Sequence, residues 1–113
     1  MKLIIAFIRP SKEETVREAL HAIHGLAGAS FSDIRGFGRG RARSSAEAVR
    51  EAVVGTLPRV RVEVMVPDAV QAAAELAIAA AAHTGQRGDG KIYVLPLSSA
   101  RRISTDETGE AAV

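Results

Sequence analysis

The chain has 113 residues, no cysteine, a formal net charge of +2, and 47% hydrophobic but only 4% aromatic side chains, which leaves room for one domain cored by small aliphatic residues. These values exclude disulfide frameworks, thiolate metal centres and cysteine nucleophiles, and so small a charge, even with a pI near 9.5, argues against nucleic acid as a partner. The apolar runs are too short to span a bilayer and no signal-like segment opens the chain, so a cytoplasmic protein without direct membrane insertion is expected.

Leu3 to Ile8 is a continuous apolar run closed by Arg9-Pro10, which predicts a strand buried on both faces. Ser11 as N-cap, Glu13 and Glu14 in the first turn, and Val16, Ala19, Leu20 and Ile23 at helical spacing predict a helix over about 11–23. Gly25 and Gly28 end it. A second strand is expected over 30–35, running into Gly36-Phe37-Gly38-Arg39-Gly40. The stretch 39–57 then breaks the rhythm. It carries Arg39, Arg41, Arg43 and Arg50, its apolar residues are few and mostly alanine, and it is expected to be a long excursion, at most transiently helical over 46–54; long loops in compact domains are often recognition arms.

From Pro58 onward Val60, Val62, Val64 and Val66 alternate with Arg59, Arg61, Glu63 and Met65, the period of a strand with one buried face. Pro67-Asp68 stops that strand and caps an alanine-rich helix over about 69–83. Thr84-Gly85-Gln86-Arg87-Gly88-Asp89-Gly90-Lys91 follows, with three glycines in six positions, and leads into a strand over 91–96. A short extended piece around 101–104 and an acidic, mobile tail over 106–113 complete the chain.

The order β-α-β, loop, β-α-β predicts a single α+β domain of ferredoxin-like form, a four-stranded antiparallel sheet with two helices on one face. The other face stays open. Its Val-rich positions need covering, and subunits packing sheet to sheet are the economical solution.

Little in the sequence carries catalytic chemistry. His21, His24 and His83 have no acidic cluster at ligand spacing, and Ser44-Ser45 lies in the excursion without a Ser/His/Asp setting, so neither a metal site nor an enzyme is expected. What remains is a set of anion-holding parts: Gly36 to Gly40, the loop 84–91, and Arg101-Arg102. A glycine loop can aim backbone N–H groups at a phosphate, and arginines can complete the grip. Taken alone, Gly-Asp-Gly is also ordinary turn chemistry.

Read together, Arg9-Pro10-x-Lys12, Val16-Arg17-Glu18-Ala19-Leu20, Gly36-Phe37-Gly38-Arg39, Leu57-Pro58-Arg59-Val60-Arg61-Val62-Glu63 and Thr84-Gly85-x-x-Gly88-Asp89-Gly90-Lys91-Ile92-Tyr93-Val94 resemble the PII signal-transduction proteins of nitrogen metabolism across nearly the whole chain. The resemblance implies a non-catalytic regulator built as a homotrimer, with ATP or ADP, and magnesium with it, in each inter-subunit cleft. Residues 84–91 would be the nucleotide-binding B-loop, with Thr84, Gly88, Asp89, Gly90 and Lys91 at the nucleotide and Gly36, Gly38, Arg39, Glu63 and Arg102 completing the cleft. Residues 38–57 would be the T-loop, which docks into a membrane transporter or metabolic enzyme with Arg41, Arg43 and Arg50 as its probes, and 105–113 the C-terminal tail.

The departures from the family pattern are specific. The T-loop tyrosine that many members have modified corresponds to Ala52, so that modification is not expected. The glutamine that helps hold magnesium and 2-oxoglutarate corresponds to Gly40, and a lysine for the 2-oxoglutarate carboxylate to Arg59, which argues against 2-oxoglutarate sensing. Ser104 replaces a phosphate-contacting arginine, which would weaken ATP or shift preference toward ADP or AMP. The alternative is a PII-like trimer that senses another small ligand, such as bicarbonate or a metal.

Overall fold

The computed structural model describes residues 1–38 and 45–113, and at Ser45 the backbone only. Among these residues four strands and three α-helices follow in order: β1 (Lys2–Ile8), α1 (Glu13–His21), β2 (Ser30–Gly36), α2 (Ser45–Val54), β3 (Leu57–Val66), α3 (Asp68–Ala82) and β4 (Lys91–Pro96). The strands form one sheet in the order β2-β3-β1-β4, and each neighbouring pair is antiparallel. This is the ferredoxin-like α+β arrangement expected from the element order.

Register decides which side chains make the core. Ile4 lies opposite Val64 and Val94, and Ala6 opposite Val62 and Ile92, so these residues share one face. That face packs on Val16 and Leu20 of α1 and on Ala74, Ile78 and Ala82 of α3. Ile4, Val16, Val62, Val64 and Ile78 are fully buried, and each such side chain contributes roughly 1.5–3 kcal/mol relative to exposure. The alanines of α3 contribute less area but let the helix approach the sheet closely.

The valines of β3 therefore line the helix-covered face, which corrects the expectation that Val-rich positions face outward. The open face carries Leu3, Ile5, Phe7, Met65, Tyr93 and Leu95 instead, placed together because Leu3 pairs with Met65 and Leu95, and Ile5 pairs with Tyr93. Met65, Tyr93 and Leu95 are 42%, 48% and 42% exposed. β1 is accordingly buried on one face and only half-covered on the other.

Four local expectations change. Ser11 does not cap α1, because Pro10–Lys12 forms a 3-10 turn and the helix starts at Glu13 and ends at His21. Asp68 does not cap α3 either. It is the first helical residue, and its carboxylate accepts from the N-terminal ammonium at 2.8 Å. The excursion 39–57 contains a ten-residue helix, α2. The tail, expected to be mobile, folds back: Arg101 bridges to Thr108, Gly109–Ala112 forms a 3-10 turn, and Glu110 lies 3.6 Å from the N-terminal ammonium.

Candidate functional site

The loop between α3 and β4 is held in shape by one carboxylate. Thr84 N and Gly85 N both donate to Asp89 Oδ2, at 2.7 and 3.0 Å. The Thr84 hydroxyl donates to Asp89 Oδ1, and Gln86 N donates back to Thr84 Oγ1 at 3.1 Å. The loop thus closes on itself as a ring of local bonds, an Asx-type solution to a turn with orphan amides.

Arg9 anchors that ring to the sheet. Its side chain leaves the end of β1, is the one buried charged side chain among the described residues, and uses three nitrogens on three partners. Nε donates to Asp89 Oδ1 at 3.1 Å, Nη2 to the Arg87 carbonyl at 2.9 Å, and Nη1 to Glu47 Oε1 at 2.7 Å. Burial opposes ionisation of Asp89, but the Thr84 hydroxyl and amide, Arg9 and the Gly85 amide outweigh it and hold the carboxyl well below the usual carboxylate range.

The glycines are demanded by this geometry. Gly90 has φ +106°, and a Cβ there would sit 1.7 Å from the Phe7 carbonyl oxygen, so the loop can lie against β1 only without a side chain. Gly88 has φ +97°, and a Cβ would sit 3.1 Å from Arg9 Nη2.

A cleft of about 730 Å³ opens beside this loop. Gly88, Gly90 and Lys91 line it together with Gly36, Phe37 and Gly38 at the end of β2 and with Phe7, Ile34, Leu57, Arg59 and Tyr93 of the sheet. Phe7 and Tyr93 meet edge to face, with ring centroids 6.1 Å apart. The lining combines apolar rings with Arg35, Arg59 and Lys91, a pattern that suits a ligand with a flat apolar part and an anionic part.

Of the residues expected at the site, the structure brings Gly36, Gly38, Gly88, Gly90 and Lys91 to one cleft. Thr84 and Asp89 stand behind it, bonded within the loop. Glu63 lies on the open sheet face, where its carboxylate accepts from Arg61 Nε at 2.6 Å. Arg102 is held in the C-terminal turn, its Nη1 donating to Glu107 and Nη2 to the Ala111 carbonyl, both at 3.3 Å. Arg50 is exposed on α2, whereas Arg39, Gly40, Arg41 and Arg43 lie outside the described residues. The roles of Arg9 and Glu47 were not evident in the sequence. An arginine closing an apolar strand was the available signal for the first; the second had none.

The family model described as nitrogen regulatory protein P-II matches residues 1–107. The chain belongs to the P-II family. Proteins named nitrogen regulatory protein P-II from Azospirillum brasilense and Cereibacter sphaeroides are 42% and 43% identical to it, and nitrogen regulatory protein P-II 1 from Escherichia coli K12 is 38% identical. Each alignment covers all of this chain and all of the relative. P-II proteins are signal-transduction regulators rather than enzymes. Among the described residues no helix is long and apolar enough to cross a membrane, and no group of three His, Cys, Asp or Glu side chains is arranged to hold a metal ion.

Proposed function

We propose that the chain is a cytoplasmic P-II regulator that binds ATP or ADP, with AMP as a further candidate, in the cleft beside residues 84–91. The observation that carries this reading is the convergence of Gly88, Gly90 and Lys91 with Gly36 to Gly38 around one cavity lined by both apolar and basic side chains. Glycine-bounded backbone on two sides allows close approach of phosphate oxygens, and Lys91 supplies a charge-assisted bond. Ile34, Phe37, Leu57 and Tyr93 offer apolar surface for an adenine ring. Magnesium would be held through the nucleotide's own phosphate oxygens.

The cleft is completed in a homotrimer. Glu63 and Arg102 stand away from it in their own subunit, and they are proposed to serve the cleft of a neighbour. Nucleotide occupancy would set the conformation of 38–57, which regulates a membrane transporter or a metabolic enzyme. 2-Oxoglutarate is left out of the proposal, since Gly40 offers no side-chain ligand and Arg59 is engaged by Glu47 at 3.1 Å.

Calorimetric titration with ATP, ADP and AMP tests the reading. Lys91→Ala removes a charged donor and is expected to weaken binding about 10- to 100-fold, the equivalent of one charge-assisted bond. Gly88→Val places a β-branched side chain at positive φ against Arg9 and is expected to abolish binding while the trimer persists. Absence of binding by the unaltered protein at millimolar nucleotide would overturn the proposal.

A further inference from the structure

A second cavity, of about 280 Å³, lies behind the 84–91 loop. Ile8 of β1, Ile78 and Ala82 of α3 and Ile92 of β4 line it, and all four belong to the core or pack against it. The cavity thus continues the helix-covered side of the sheet and is distinct from the open face that carries Leu3, Ile5 and Leu95. Its volume falls just below the roughly 300–1,000 Å³ of pockets for drug-sized molecules, which suits an aliphatic body of a few carbon atoms. Phe7, Gly90 and Lys91 line both this cavity and the larger cleft. A Cβ on Gly90 would sit 1.7 Å from the Phe7 carbonyl oxygen, so loop and strand lie in direct contact where the two spaces share residues.

The polar lining consists of His83, Asp89 and Lys91, and these three are unequally free. Both Asp89 oxygens are filled, by the Thr84 hydroxyl and amide, the Gly85 amide and Arg9, which leaves no acceptor for a ligand's ammonium group. His83 leans on the loop, its Nδ1 3.8 Å from Asp89 Oδ2. The Lys91 ammonium has no partner among the described residues. The uncommitted polar group is therefore a cation, and a carboxylate is its complement.

We infer that this cavity is a second ligand site, for a short aliphatic monocarboxylate whose chain packs among Ile8, Ile78, Ala82 and Ile92 and whose carboxylate is taken by Lys91. Because Lys91 also lines the larger cleft, a carboxylate held behind the loop draws it away from that cleft. The two sites are then coupled negatively. The coupling rests on the nucleotide reading; the site does not.

The probe is hexanoate, with hexanol and acetate as comparisons, and the readout is the isoleucine methyl resonances of the protein without nucleotide. Hexanoate is expected to shift Ile8, Ile78 and Ile92 saturably, with a dissociation constant of about 1 mM, while Ile34, which lines the larger cleft, stays unmoved. Hexanol lacks the charge and acetate the chain, so each is expected to bind about tenfold more weakly. Ala79→Leu adds bulk at an exposed helix position that lines the cavity, and is expected to remove hexanoate binding with the unfolding midpoint unchanged. Shifts confined to Ile34, equal affinity for hexanol, no saturable shift at all, or unaltered hexanoate binding in Ala79→Leu overturns the site. Saturating hexanoate is expected to weaken ATP and ADP binding about tenfold, the worth of one charge-assisted bond, and unchanged nucleotide affinity overturns the coupling. Absence of nucleotide binding altogether counts against the proposed cleft alone, since the methyl shifts are read without nucleotide.

Discussion

Asp89 is the residue on which the geometry of the 84–91 loop turns. Its carboxylate accepts from two backbone amides, one hydroxyl and one guanidinium, so removing its charge leaves several donors poorly satisfied at once. Asp89→Asn keeps the shape and loses the charge, and is expected to cost about 2–3 kcal/mol in stability, the range for bonds to a charged group. The pH dependence follows from the direction of the shift. The folded carboxyl is depressed, so its contribution is complete above the unfolded value of about 3.9 and is lost as pH falls below it. Thermal unfolding from neutral pH downward should therefore show a steeper acid loss in the unaltered protein than in Asp89→Asn. Parallel acid limbs would contradict this assignment. The glycines of the loop were legible in the sequence, because positive φ restricts residue choice wherever it occurs. The partner of Asp89 was not, since Arg9 is 80 positions away and only the sheet register brings the two together.

At the scale of elements, hydrophobic periodicity identified β1, α1, β3, α3 and β4, because in each of them apolar residues meet the core. It failed at α2 for the converse reason. The valines of α2 point to solvent and its acidic residues point inward, so no core-facing stripe marks it as a seated helix. The helix ends were also misplaced by one or two residues. At α3 a tertiary partner, the N-terminal ammonium, took the Asp68 carboxylate that local rules assign to the cap. Val53, 78% exposed, should accordingly be dispensable for the fold. Val53→Ser is expected to change unfolding free energy by no more than about 0.5 kcal/mol, measured by denaturant titration, while weakening capture of a partner by the 38–57 arm. A loss near that of a buried valine would show that α2 is seated by packing rather than by Glu47.

At the scale of the whole molecule, the open sheet face is the main feature a single chain leaves unresolved. Leu3, Ile5, Phe7, Met65, Tyr93 and Leu95 form a contiguous apolar surface by register, larger than isolated exposed residues would explain. The proposed trimer would cover it with two further copies, and in that proposal a neighbour's Glu63 and Arg102 serve each cleft. Leu95→Glu places a charge in the proposed interface and is expected to convert the proposed trimer to monomer in size-exclusion chromatography with light scattering. A monomeric unaltered protein, or a trimer that tolerates the charge, would remove this part of the account. The sequence pointed to an uncovered face from the element order, although it assigned the wrong residues to it; alternation alone does not say which side of a strand the helices cover.

Gly88, Gly90 and Lys91 are proposed to line a nucleotide cleft. Isothermal titration of ATP and ADP into the unaltered protein and into Gly88→Val, each checked for size, tests it most directly. Saturable binding to the unaltered protein and none to Gly88→Val, with both proteins trimeric, is the expected result. Equal affinities in the two, or no binding to the unaltered protein at millimolar nucleotide, would contradict it.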